Sequence, residues 1–159
     1  MRPDSVVLAP VDTPELSAVA RDLFREYALA IGTDLEYQGF ASELAALPAP
    51  YVSPHGALFI AYVDGEVAGC AALRPLGNGA GEMKRLYVRP RYRKLGLGNQ
   101  LIEAIIGVAR RASLQILRLD TLPSMTRAQA LYRKLGFVET PPYHDKYLAG
   151  TRFFALELN

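Results

Sequence analysis

The apolar positions of the chain change period along its length, and the changes mark its elements. SVVLAP is short and rich in β-branched residues and closes on Pro10, which predicts a strand. PELSAVARDLFREYALAI then carries Leu16, Val19, Ala20, Leu23, Phe24 and Tyr27 on one stripe at helical spacing. Asp12 is its expected N-cap, with Pro14 in the first turn and Glu15 three residues after the cap; Gly32 is its expected stop. EYQGFASELAAL predicts a second, shorter helix, ended by the Pro48 and Pro50 region. GALFIAYV and VAGCAALRPL, separated by DGE, predict a hairpin with a glycine turn. GNGAG is a further loop and EMKRLYV a further strand. A helix is expected over 97–112, a strand in LQILRLDT, a helix in SMTRAQALYRKLG, and strands in FVET and TRFFALEL. The order is β-α-α-β-β-β-α-β-α-β-β. Hairpins come first and βαβ units later, which predicts an α/β fold whose sheet is antiparallel early and locally parallel late.

Composition narrows the class. A chain of 159 residues is most simply one domain, here 1–159, with room for a sizeable core. A net charge of +2 falls short of the strongly basic signature of a nucleic-acid binder. The single cysteine, Cys70, rules out an internal disulfide and a thiolate metal cluster and is read as a buried structural residue. The two histidines, His55 and His144, do not make a metal site, and His144 is expected to be a solvated loop residue. No signal-peptide core or membrane-length apolar run is present, so a cytoplasmic protein without membrane partners is expected.

The chemistry starts at Arg89, in RPRYRKLGLGNQLIEAII. A strand, a glycine-bearing loop and a helix start in that order present free backbone N–H groups and a positive dipole end to a phosphate. Gly96 and Gly98 would let the main chain approach an anion closely. Lys84, Arg85, Arg89, Arg91, Arg93 and Lys94 form a run of cations with no acid among them, which would attract a polyphosphate. A Walker loop is absent, and the third glycine of a dinucleotide fingerprint is replaced by Leu101.

RKLGLG fits the Arg/Gln-x-x-Gly-x-Gly/Ala pattern of the GNAT N-acetyltransferase superfamily, and AQALYRKLGF resembles its second signature, Ala-x-x-Leu-Tyr-x-x-x-Gly-Phe. The resemblance spans most of the chain and is strongest from Glu82 to Tyr143. It implies a GNAT fold: a mixed central sheet, antiparallel in its N-terminal half and locally parallel at splayed middle strands, flanked by helices. It further implies acetyl-CoA as co-substrate, no metal, and acetyl transfer by direct attack of a small-molecule or peptide amine. The same fold could also serve as a non-catalytic acyl-CoA sensor, and relatives often dimerise.

By the same resemblance, Leu86, Tyr87 and Val88 would pair with the pantetheine arm, and the pyrophosphate would sit on main-chain amides of Arg93, Lys94, Leu95, Gly96, Leu97 and Gly98, with Asn99 entering the helix. Tyr132 matches the general-acid tyrosine of relatives, and Glu82 the carboxylate that accepts the amine's proton. Strand alternation puts Glu82, Lys84, Leu86 and Val88 on one face, with Lys84 available to pair with Glu82. Met125 stands where many relatives carry a pantetheine-binding asparagine, with Ser124 and Thr126 as substitutes. Tyr37, Phe40 and Tyr143 are expected walls of the acceptor pocket.

Overall fold

The computed structural model describes residues 4–159. Strand β1 (Val6–Pro10) leads into helix α1 (Pro14–Ile31), a 3-10 turn (Leu35–Gln38) and helix α2 (Phe40–Ala46). Strands β2 (Ala57–Val63), β3 (Glu66–Gly77) and β4 (Ala80–Val88) follow, then helix α3 (Leu97–Arg111), strand β5 (Ile116–Thr121), helix α4 (Thr126–Lys134), and strands β6 (Val138–Thr140) and β7 (Arg152–Glu157). The seven strands form one sheet in the order β1-β2-β3-β4-β5-β7-β6, in which only β4 and β5 pair in parallel.

Two local expectations differ from the structure. Thr13, not Asp12, caps α1, because its hydroxyl accepts the Leu16 N–H at 3.1 Å while Pro14 occupies the first helical position. The expected second helix is broken at Gly39, whose φ of 73° closes the 3-10 turn onto the Glu36 carbonyl before α2 begins.

Each face of the sheet is covered by helices. Leu101, Ile102, Ile105 and Ala109 of α3 pack on Leu117, Leu119 and Phe154. On the opposite face Ala20, Leu23 and Phe24 of α1 pack on Leu58, Ile60, Cys70 and Ala72. Burying a Leu, Ile or Phe side chain contributes about 1.5–3 kcal/mol, so these layers hold β4 on both faces and β5 on the α3 face. Pairing of β4 with β5 nevertheless stops early. It covers Ala80–Glu82 against Ile116–Arg118, and beyond those residues the strands separate into a fork. A bulge on the other side of β4 sharpens the divergence. Cys70 opposes Tyr87 and Ala72 opposes Lys84, so Arg85 and Leu86 share one partner position, with Arg85 at φ 61°.

The bulge overturns the expected alternation. Glu82 and Lys84 share the face of Arg74 and Gln38, whereas Leu86 and Val88 pack into the core on the α3 face, because the extra residue reverses the sense of every side chain after it.

Candidate active site

The fork is a cleft lined on its β4 side by Met83, Lys84, Arg85 and Leu86 and on its β5 side by Asp120 and Thr121, with Tyr132 and Met125 at its base and Tyr27 and Tyr37 over it. The β4 edge from 83 to 88 has no strand partner on the β5 side, which leaves its peptide groups available. Leu86 lines the cleft; Tyr87 is buried against Tyr27 with its hydroxyl toward Glu26, and Val88 contributes its carbonyl to the Arg93 side chain at 3.0 Å.

At the open end of the fork lies the loop into α3. Among the described residues, none of the backbone N–H groups from Lys94 to Asn99 donates to a protein acceptor, and Gln100 makes the first helical bond, to Gly96, at 3.1 Å. Left-handed backbone at Lys94 (φ 69°) and Gly96 (φ 80°) turns this run of amides outward, while Leu95 and Leu97 anchor it among Val63, Ala68 and Tyr92. Gly98 also has a packing role. A Cβ there would meet Leu131 of α4 at 3.2 Å, so its lack of a side chain lets α3 and α4 come together. The basic run also disperses on folding. Arg85 is buried on Glu43 at 2.5 Å, Arg89 pairs with Glu26 at 2.6 Å, and Lys84 faces the far end of the cleft. Among the described residues Arg91, Arg93 and Lys94 remain as flanking cations without an acidic partner, Arg93 donating to the Val88 carbonyl.

Tyr132 is 3% exposed, its ring packed on Phe137 and Phe154, and its hydroxyl has no hydrogen-bond partner among the described residues. Burial pushes its pKa up, with the charges of Tyr27 and Asp120 adding to the effect, so the phenol keeps its proton at neutral pH. Thr121 and Thr151 also line the cleft, and each has a buried hydroxyl without a partner among the described residues. Buried polar groups normally find partners, so two buried hydroxyls left unsatisfied on one cleft, with the Tyr132 side chain beside them, fit a polar ligand there. Met125 lines the cleft at the position expected to be asparagine. Among the described residues neither Ser124 nor Thr126 makes a side-chain hydrogen bond; Gln129 supports this corner instead, donating to the Leu122 carbonyl at 2.9 Å.

Glu82 is buried and not solvated. Its expected partner Lys84 reaches Gln38 Oε1 at 3.3 Å instead, and Glu82 accepts from Arg74 Nε at 2.7 Å and from the Tyr143 hydroxyl at 2.5 Å. Burial pushes its pKa up, but the charges of Lys84 and Arg74 and these hydrogen bonds outweigh it and hold the carboxyl below its ordinary range. Both oxygens are thus engaged, and Glu82 stands behind the cleft wall. Of the expected acceptor-pocket residues, Tyr37 lines the cleft, Tyr143 covers Glu82, and Phe40 lies under the Arg85 guanidinium at 5.3 Å, as support for α2.

The carboxylate that reaches the cleft is Asp120, which the sequence pattern did not single out. Its Oδ2 contacts His144 Nε2 at 2.6 Å, while its Oδ1 has no hydrogen-bond partner among the described residues. His144 is therefore part of the site and not a solvated loop residue. Its Nδ1 accepts the Lys146 N–H at 3.3 Å, which places the ring proton on Nε2 facing Asp120, and Tyr143, Tyr147 and Phe153 pack edge-on around the ring. Glu82, Asp120 and His144 offer ligand atoms within 4.8 Å of one another, but those of Glu82 are engaged by Arg74 and Tyr143, and Asp120 and His144 bind each other. A strand-period signal could have marked Asp120, since it shares a face with Arg118 and alternates with Leu117 and Leu119 in LQILRLDT, but the fork that exposes it is a tertiary feature.

Residues 20–137 match the family model for the acetyltransferase (GNAT) family. An uncharacterised N-acetyltransferase from Schizosaccharomyces pombe is 35% identical over the whole of this chain and 99% of its own length. Among solved structures, a GNAT-family acetyltransferase from Staphylococcus aureus Mu50 superposes with a TM-score of 0.80 at 20% identity, covering 98% of this chain and 100% of the other. A GNAT-family acetyltransferase from Elizabethkingia anophelis, solved with acetyl-CoA bound, gives a TM-score of 0.67 at 22% identity, covering 98% of this chain and 99% of the other.

Proposed function

The chain belongs to the acetyltransferase (GNAT) family, and from that premise we propose that it is a single-domain enzyme that transfers an acetyl group from acetyl-CoA to a primary amine bound in the fork. The observation that carries this reading is the run of six unpaired amides, Lys94 to Asn99, at the mouth of a cleft whose far end holds an open carboxylate. The amides and the α3 N-terminus suit a pyrophosphate, with Arg91 and Lys94 beside it. The unpaired edge of β4, with Leu86, Tyr87 and Val88, suits an extended amide-bearing arm. Acetyl-CoA, when bound, supplies a thioester carbonyl that the amine nitrogen attacks as the C–S bond breaks.

The protein's own residues then divide the proton work. Asp120 Oδ1 holds the incoming ammonium and takes its proton, directly or through water. His144 is a positioning residue: its Nε2–H fixes Oδ2 and leaves Oδ1 toward the cleft. The Tyr132 hydroxyl, protonated and unpartnered, donates toward the departing sulfur. Glu82 positions Tyr143 and balances Arg74.

The test is calorimetric titration with CoA, followed by acetyl-CoA turnover read as free thiol across amines, amino acids and peptides. Binding near one CoA per chain and turnover that falls ~10²–10⁴-fold in Asp120→Asn with CoA affinity intact are expected. CoA binding without turnover of any amine would make the protein an acyl-CoA sensor, and no CoA binding would reject the assignment.

A further inference from the structure

The acceptor end of the cleft carries opposite charges on its two walls. Because β4 and β5 pair in register up to Glu82 and Arg118, the next residues with the same sense are Lys84 on one arm of the fork and Asp120 on the other. They do not form an ion pair. Lys84 Nζ has one hydrogen bond, to Gln38 Oε1 at 3.3 Å, and Asp120 has one free oxygen. Arg118 does not line the cleft; its guanidinium lies over the Tyr143 ring at 5.6 Å, at the level of the last β4–β5 pair. The other cations of this region are accounted for: Arg74 is bound to Glu82, and Arg85 to Glu43. Lys84 lies roughly 13 Å down the strand from Val88, at ~3.3 Å per residue, so it cannot serve a phosphate held at the 94–99 amides.

We propose that the acceptor is an amino carboxylate, an amino acid or close analogue, bound with its ammonium on Asp120 and its carboxylate on Lys84. This rests on the acyl-transfer reading above and narrows it to a substrate class. A lysine facing a carboxylate across the cleft favours, over a polyamine, a ligand that carries an anion together with its amine. Burial, reinforced by the neighbouring Arg85 charge, lowers the Lys84 pKa, and a bound carboxylate relieves that cost. The fork also supplies the geometry: the two arms diverge by only two residues past their last pair, a span suited to a small zwitterion.

The experiment measures kcat/KM for the proteinogenic L-amino acids, each beside its carboxamide and its decarboxylated amine. The carboxamide has the more acidic ammonium and hence more free amine at neutral pH, so chemistry alone favours it. At least one amino acid is expected to exceed its carboxamide by about 100-fold, as for a site left with an unpaired buried polar group. Lys84→Met should raise KM for that amino acid by about 30-fold or more while moving kcat and the CoA dissociation constant little, and should leave the carboxamide unaffected, as expected for lost ground-state binding. Carboxamides or simple amines turned over as well as the acids by the wild-type protein would overturn the inference while leaving acyl transfer standing. The wild-type comparison needs no folded variant. No turnover of any amine despite CoA binding would instead remove the enzyme reading on which the inference rests.

Discussion

Glu82→Gln separates an anchoring role from a catalytic one. The substitution keeps the shape of the side chain and one acceptor oxygen but puts an NH2 where a carboxylate faces Arg74 at 2.7 Å and Tyr143 at 2.5 Å. A hydrogen bond to a charged group contributes about 1.5–3 kcal/mol, and that to Arg74 lies at the lower end because its side chain is 39% exposed. A net loss of about 2 kcal/mol corresponds to a Tm lower by ~4–8 °C for a chain of this size. The loss depends on pH in a defined direction. The folded-state pKa of Glu82 lies below its unfolded value of about 4.3, so its stabilisation is fully present above about pH 5 and fades as pH falls through the folded value. Thermal unfolding of wild type and variant between pH 3.5 and 8 should therefore show a constant gap near neutrality that closes in acid. Turnover at saturating acceptor should stay within about tenfold of wild type, short of the ~10²–10⁴ that loss of a general base removes. Equal melting temperatures at every pH, joined to a kcat loss beyond 100-fold and a vanished acidic limb, would refute the anchoring argument and make Glu82 the base.

Tyr132→Phe removes a hydroxyl that bonds to nothing in the protein and retains the packing on Phe137 and Phe154, so Tm should hold within about a degree while kcat falls ~10²-fold or more; unchanged turnover would reduce the residue to a core aromatic. Gly96→Ala forces a Cβ into left-handed backbone at about 1–2 kcal/mol and should weaken CoA binding in calorimetry by about tenfold. Gly98→Ala, at a helical position where the methyl meets only the tip of Leu131 at 3.2 Å, should leave CoA affinity within about twofold and Tm within a few degrees; the reverse ranking would restore Gly98 as the anion-approach position. Cys70 donates to the Arg85 carbonyl freed by the bulge, at 3.3 Å, and burial pushes its pKa up, so it should resist a disulfide reagent in the native protein and react only on unfolding; stoichiometric labelling of folded protein within minutes would contradict this.

Much of the fold could be read from periodicity because periodicity reports which face of each element is buried. The stripe of α1, the apolar run of β2, the alternation of β5 and the length of α3 each follow from local pattern, and the element order then constrains the sheet. The glycine-bearing loop was legible for the same reason: its work is done by backbone amides, and backbone conformation is set by residues adjacent in sequence. What only the tertiary structure decided is which side chains meet. The bulge at Arg85 reverses the faces of Leu86 and Val88, a shift that no alternation count detects because it depends on pairing with β3. Glu82 finds Arg74 and Tyr143, eight and sixty-one residues away, in place of its neighbour Lys84. Asp120 becomes the open carboxylate because the sheet forks beyond Arg118 and a loop from 24 residues downstream brings His144 against it. Charge, burial and partner together fix what a carboxylate does, and all three are properties of the space around it, which contacts between distant segments create.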